Sequence, residues 1–198
     1  MKTVLSSLLF LLAVTTASAS INPIDLVVQT DPTSHTLTLR TTLAVDQATK
    51  VQLKDANGLV LHTTKLNPGE YLNGRFVLSK LPSGTYYVEV TDVQGKTVQP
   101  FTINAGGITA DPALATRSFY PQVDLHDKLL TINYLNTSGS STRIRLADSA
   151  GRAVITDRLP ESTTVQRAYS LENLPAGEYF VTVSSPDVPS HTPSLRLD

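Results

Sequence analysis

Beyond its amino-terminal segment the chain alternates apolar and polar residues with a period of two. Leu37 and Leu39 alternate with Thr36, Thr38 and Arg40, Val51 and Leu53 with Gln52 and Lys54, and Leu130 and Ile132 with Thr131 and Asn133. Successive side chains of a strand point to opposite faces, so this pattern predicts half-buried β-strands. Twelve prolines and ten glycines punctuate the chain too often for long helices, and no 3.6-residue apolar stripe runs through it. The punctuation has its own chemistry. Asp-x-x-Gly recurs at Asp55 to Gly58, Asp92 to Gly95 and Asp148 to Gly151. Aspartate at the first position of a type I turn accepts from the turn's own backbone, and glycine at the fourth can take a positive φ, so each predicts a hairpin.

The pattern is written twice. Sliding the chain by 93 positions sets Leu37, Leu53, Asp55, Gly58, Leu66, Leu78, Leu81, Pro82, Gly84, Tyr86, Val88 and Val90 on Leu130, Leu146, Asp148, Gly151, Leu159, Leu171, Leu174, Pro175, Gly177, Tyr179, Val181 and Val183, without a gap. The shared positions are alternating apolar residues and turn residues, those that specify a fold. Two copies of one module are therefore predicted, residues 20–104 and 113–198, joined by a small-residue linker at 105–112.

In each copy a Leu-Pro-x-Gly corner leads into a strand: Leu81-Pro82-Ser83-Gly84-Thr85-Tyr86-Tyr87-Val88 and Leu174-Pro175-Ala176-Gly177-Glu178-Tyr179-Phe180-Val181. This is the setting of a tyrosine corner, whose ring enters the core while its hydroxyl bonds backbone. The fold class expected is all-β: two tandem seven-stranded antiparallel sandwiches, immunoglobulin-like or fibronectin-type-III-like. Tyr87 and Phe180 follow the corner tyrosines and by alternation face outward, where an aromatic ring could meet a partner, a sugar or the neighbouring module.

The corner motif of the second copy, preceded by Ile144-Arg145-Leu146-Ala147-Asp148-Ser149-Ala150-Gly151, resembles the C-terminal sorting domain of type IX secretion cargo in Bacteroidota. The resemblance spans residues 128–198, and more loosely the first copy through the repeat. It implies a small β-sandwich that outer-membrane secretion machinery recognises and usually removes. The chain departs from that pattern in having another copy of the module where a large cargo normally stands, and in ending Leu195-Arg196-Leu197-Asp198 rather than in basic residues.

Composition narrows the function. Residues 1–19 carry Lys2, an apolar run and the small-residue ending Ala17-Ser18-Ala19, the layout of a cleaved secretory signal peptide. That run is too short to span a membrane, and no other stretch approaches the length, so no membrane span is expected after signal removal. A formal charge of -1 offers no basic field for nucleic acid. The absence of cysteine removes disulfides, thiolate metal sites and cysteine nucleophiles.

Candidate chemistry is sparse. Asp124-Leu125-His126-Asp127 is the densest polar cluster, but period two sets only Asp124 and His126 on one face, too few for most metal sites, and an Asp127-Lys128 turn is the simpler reading. His35, His62 and His191 have no metal-binding spacing, and Glu70, Glu89, Glu161, Glu172 and Glu178 are scattered. Thr137-Ser138-Gly139-Ser140-Ser141 reads as a flexible hairpin loop. Ser149 lies in an Asp-Ser-Ala sequence that resembles the O-glycosylation acceptors of Bacteroidota, and Asn136-Thr137-Ser138 is an N-glycosylation sequon. No catalytic, cofactor-binding or metal residue is assigned and no cofactor is expected.

These observations predict a secreted, non-enzymatic protein at the cell surface or in the periplasm, binding an unidentified protein or glycan through its surfaces. One alternative is a type IX cargo whose module 113–198 is a sorting signal, with the outer-membrane secretion machinery as a partner. Another is a carbohydrate-binding module or carbohydrate-active enzyme, against which the lack of tryptophan counts because the broadest stacking surface is missing.

Overall fold

The structure is a computed structural model and describes residues 26–31, 35–186, 188 and 190–198. The expected signal peptide, 1–19, lies outside the described residues.

In chain order the first strands are β1 (Leu26–Asp31), β2 (Thr36–Thr41), β3 (Thr49–Asp55), β4 (Val60–Leu66), β5 (Asn73–Val77), β6 (Gly84–Thr91), β7 (Gly95–Asn104), β8 (Gly107–Thr109) and β9 (Thr116–Phe119). They are followed by β10 (Gln122–His126), β11 (Leu129–Leu135), β12 (Thr142–Asp148), β13 (Ala153–Leu159), β14 (Thr164–Ser170), β15 (Gly177–Ser184) and β16 (Ser194–Leu197). All pairings are antiparallel. The first unit sets the sheet β1-β2-β5 against β4-β3-β6-β7-β8, and the second sets β10-β11-β14 against β13-β12-β15-β16. The chain is all-β, built of antiparallel sandwiches as the alternation and the tyrosine corners imply. Among the described residues the second unit has the seven strands expected, whereas the first has nine, because β8 and β9 both join the free edge of β7.

The repeat survives in three dimensions down to its irregularities. Leu37, Leu53, Leu66, Leu78, Tyr86, Val88 and Val90 are buried in one core, and their partners Leu130, Leu146, Leu159, Leu171, Tyr179, Val181 and Val183 in a second. Each core is made by its own unit. The ladder between β3 and β4 shifts register at Leu53/Lys54, and that between β12 and β13 at Leu146/Ala147, the equivalent place. Gly58 and Gly151 take φ of 83° and 78° at the ends of their Asp-x-x-Gly turns. Both corner hydroxyls donate to the proline carbonyl four residues back, Tyr86 to Pro82 and Tyr179 to Pro175, each at 2.8 Å.

The repeat breaks at its first hairpin. Between β10 and β11 the turn is Asp127-Lys128, both with positive φ, joining His126 opposite Leu129. In the first unit Asp31 lies opposite Thr36, so four residues connect the strands instead of two. The first strand is thereby displaced by two positions against its partner, which keeps the same faces inward because the side-chain period is two.

The segment 105–112, expected as a linker, is largely structured. Its Gly107–Thr109 is β8, which pairs with the end of β7, and Asp111 caps a short 3-10 turn at Pro112–Leu114 through its carboxylate and the amide of Ala113. The first unit's sheet then continues past 113: β9 pairs with the start of β7, Gly95 opposite Phe119. Hydrogen bonding therefore passes from the first unit to the second at Tyr120-Pro121. Ten residues long, β7 holds β9 along one half and β8 along the other, a pairing that composition cannot announce.

Candidate functional site

At that crossing the chain makes a groove. The segment Phe119-Tyr120-Pro121-Gln122 leaves β9 and enters β10, so two aromatic rings stand where the units meet. Tyr120 is held to the first unit by its amide, which donates to the carbonyl of Gln94 at 2.8 Å. It is held to the second by a stacked contact with the ring of His191, centroids 5.6 Å apart and planes 12° from parallel. The guanidinium of Arg117 lies over Phe119 at 4.9 Å, an attraction between a cation and the negative face of the ring. Arg117 also donates to Thr97 Oγ1 at 3.2 Å and approaches Asp92 at 4.0 Å. Both rings are therefore fixed walls.

The floor comes from the outer face of β10, β11 and β14. Gln122 lies directly opposite Asn133, and Asn133 directly opposite Gln166, so three side-chain amides form a row across three neighbouring strands. Leu135 and Thr164, again opposite one another, continue it. With Gln94, Phe119, Tyr120 and part of Tyr134 these residues line a cavity of about 340 Å3. Every lining residue is uncharged. Gln122 donates to the carbonyl of Tyr120 at 3.3 Å; the side chains of Gln94, Asn133 and Gln166 have no hydrogen-bond partner among the described residues.

Electrostatics around the groove preserve that neutrality. Burial, then the nearby carboxylates of Glu89 and Asp92, raise the pKa of Tyr120, so its phenol stays protonated. Burial lowers that of His191, favouring the neutral imidazole against the Tyr120 ring.

The residues picked out in the sequence lie elsewhere. Asp127 and Lys128 form the predicted turn, and His126 pairs with Asp127 at 3.1 Å on the open surface. Among the described residues no three His, Cys, Asp or Glu side chains gather as for a metal. His35 sits in the first hairpin with φ 49°, and His62 packs edge-on against Phe76. Of the scattered glutamates, Glu89 is tied to Lys54 at 2.7 Å and faces Lys96 at 3.8 Å. Tyr87 and Phe180 are half-buried on the outer faces of the sheets that hold β6 and β15, opposite Lys54 and Ala147 respectively, and neither lines the groove.

One expectation is corrected, and one point the sequence left open is closed. Asn136, the sequon asparagine, is wholly buried, and its amide donates to the carbonyls of Ser140 and Ser162; in the folded protein it offers nothing to a glycosyltransferase. For the same reason Thr137 to Ser141 is no flexible loop. Ser138 Oγ donates to Asn136 Oδ1 at 2.8 Å, and Thr137 Oγ1 donates to the carbonyl of Arg117 at 3.1 Å, a further tie between the units. Ser149 is exposed at the tip of its turn.

The groove residues went unseen because their meeting depends on register. Alternation marks Asn133 and Gln166 as outward-facing, but only the pairing of β10 and β14 to β11 places Gln122, Asn133 and Gln166 in line.

Known proteins place the chain. The model of the secretion system C-terminal sorting domain matches residues 31–104 and again residues 126–192. The chain belongs to that family. The double match shows the family's pattern in both units, and the chain is a secreted cargo protein directed by a type IX sorting domain toward the cell surface or beyond. None of the curated proteins compared with the chain matches it. Among solved structures, the BSP domain of a biofilm-associated protein is 16% identical, with a TM-score of 0.29 over 86% of this chain. The chain spans only 29% of that protein's length. A two-domain fibronectin type III segment of chicken tenascin is 14% identical, with a TM-score of 0.28, covering 89% of this chain and 99% of the segment.

Proposed function

We propose that this sorting-domain protein acts outside the cell as a non-catalytic binding protein, with its second unit as the export address and the groove between the units as its binding site. The groove carries this reading. Its walls are pinned by contacts to both units, its floor amides Asn133 and Gln166 are left without partners among the described residues, and its lining is aromatic, aliphatic, amide and hydroxyl, chemistry that holds a ligand rather than transforms one. The first copy contributes Gln94 to the lining and, through β7 and the Gln94 carbonyl, holds β9 and Tyr120 in place, which gives a reason for two copies in one chain.

The test has an export arm and a binding arm. Residues 113–198 fused behind a leader and a reporter should bring the reporter to the surface or medium of a type IX-competent host, and removing 185–198 should leave it in the periplasm. Retention of the intact fusion would overturn the address. The exported full chain should adhere to intact cells or extracellular matrix, with Tyr120→Ala reducing adhesion; adhesion unchanged by that substitution would overturn the groove.

A further inference from the structure

We propose that the junction groove binds an uncharged saccharide, one or two hexose rings of a neutral glycan. This rests on the groove's being a binding site and specifies what it takes. Three observations point to that class.

The first is charge. None of the residues lining the groove carries a charged side chain, and the Tyr120 phenol and His191 imidazole beside it are both held toward their neutral forms. Arg117 lies over Phe119 and faces Asp92, so the nearest charges are of both signs and none belongs to a lining residue that could meet an acidic or basic ligand directly.

The second is the kind and spacing of the polar groups. A side-chain amide offers two N–H donors and a carbonyl acceptor from one planar group, which meets vicinal sugar hydroxyls with both functions. Gln122, Asn133 and Gln166 stand directly opposite one another on neighbouring strands, spaced by the inter-strand distance of about 4.8 Å, the reach of one hexose ring. Their row runs across the strands toward one chain of rings rather than scattering contacts over a face. Phe119 and Tyr120, immobilised by Arg117 and His191, provide the apolar wall on which the C–H face of a sugar packs.

The third observation weighs against an extended peptide added as a strand at the centre of the floor. Such a ligand gains affinity by adding its backbone to a free sheet edge, but the groove lies on a sheet face whose central strand, β11, is already paired on both sides by β10 and β14. Only side chains face the ligand. The cavity of about 340 Å3 lies at the lower end of the range for small-ligand sites, about 300–1,000 Å3.

The exported full chain can be titrated by calorimetry and by affinity electrophoresis with dextran, laminarin, xylan and galactomannan as neutral probes, and with alginate and heparin as acidic ones. Gln166→Ala and Asn133→Ala alter exposed side chains on a paired sheet, so both variants should fold, checked by an unchanged melting temperature. At least one neutral polysaccharide should bind, and each variant should weaken that binding by about 10-fold through the lost hydrogen bonds. Glu172→Ala, on an exposed residue away from the groove, should leave it unchanged. The proposal is overturned if no neutral polysaccharide binds, if only the acidic probes bind, or if binding ignores Gln166 and Asn133. The adhesion assay separates this from the parent reading: adhesion that falls with Tyr120→Ala while no neutral polysaccharide binds would sink the saccharide and leave the groove standing, whereas adhesion indifferent to Tyr120 sinks both.

Discussion

At the scale of single residues, identical sequence signals serve different physical ends. Gly58 and Gly151 close their turns with positive φ and open space around the missing side chain. Gly95 ends the same Asp-x-x-Gly pattern without a positive φ; a Cβ there would lie 2.2 Å from the carbonyl oxygen of Ser118. Its smallness is required by the approach of β9. Gly58→Ala should therefore cost about 1 kcal/mol of stability, the left-handed backbone penalty. Gly95→Ala should cost more and loosen β9, measured as faster amide exchange at Ser118 and Phe119; equal costs in urea unfolding would contradict this difference. Tyr179→Phe keeps the ring and loses the bond to Pro175, for an expected loss of about 1 kcal/mol. The buried amide of Asn136 is the larger stake. Asn136→Leu leaves the Ser140 and Ser162 carbonyls unpaired, at a cost of about 1–3 kcal/mol, and host glycosylation should add no mass to the folded protein at this position.

Among elements, the larger sheets of the two units repeat a feature that local pairing alone would disfavour. Lys50 stands directly opposite Lys65 on the edge strand β4, and Arg143 directly opposite Arg158 on the edge strand β13. Like charges so placed repel, yet charged side chains on an outer strand discourage edge-to-edge association. The first unit needs that protection, since Leu59, Val60 and Leu61 are exposed at the start of β4. Lys65→Thr should relieve the repulsion, so its melting temperature should hold or rise, while concentration-dependent light scattering increases on warming. A variant that scatters no more than the parent protein would remove the protective role from Lys65. The turns at this scale were legible because their chemistry is local: Asp55, Asp92 and Asp148 each accept from two backbone amides of their own turns. The fate of residues 105–112 was not, because small residues suit a linker and a short edge strand equally, and β7's free edge decides between them.

For the whole molecule, the ties between the units set both rigidity and pH response. They include the Tyr120 amide on Gln94, the Thr137 hydroxyl on Arg117 and the ring stack of Tyr120 with His191. Burial depresses the His191 pKa, whereas the unfolded chain takes its proton near pH 6.5. As pH falls below about 6.5 the unfolded state binds the proton first, so this contribution to stability is full above that value and is lost progressively until the folded ring protonates at its lower pKa. His191→Phe retains a ring to stack and removes the titration. The parent protein should lose more thermal stability than the variant between about pH 7.5 and about pH 5.5; parallel losses would show that His191 does not couple the junction to pH.

Sequence alone determined the all-β class, the duplication, the tyrosine corners, the aspartate turns and the likeness to a sorting domain. Each is written in residues near one another in the chain or in a period that one face of a strand enforces. Tertiary structure decided what distance along the chain conceals. Asn136 and Gly95 owe their roles to partners outside their own strands, and the first hairpin moves a strand by two positions while leaving the hydrophobic pattern intact. Gln122, Asn133 and Gln166 become one row only through strand register, and Gln94 reaches the same groove only because β9 folds back on β7.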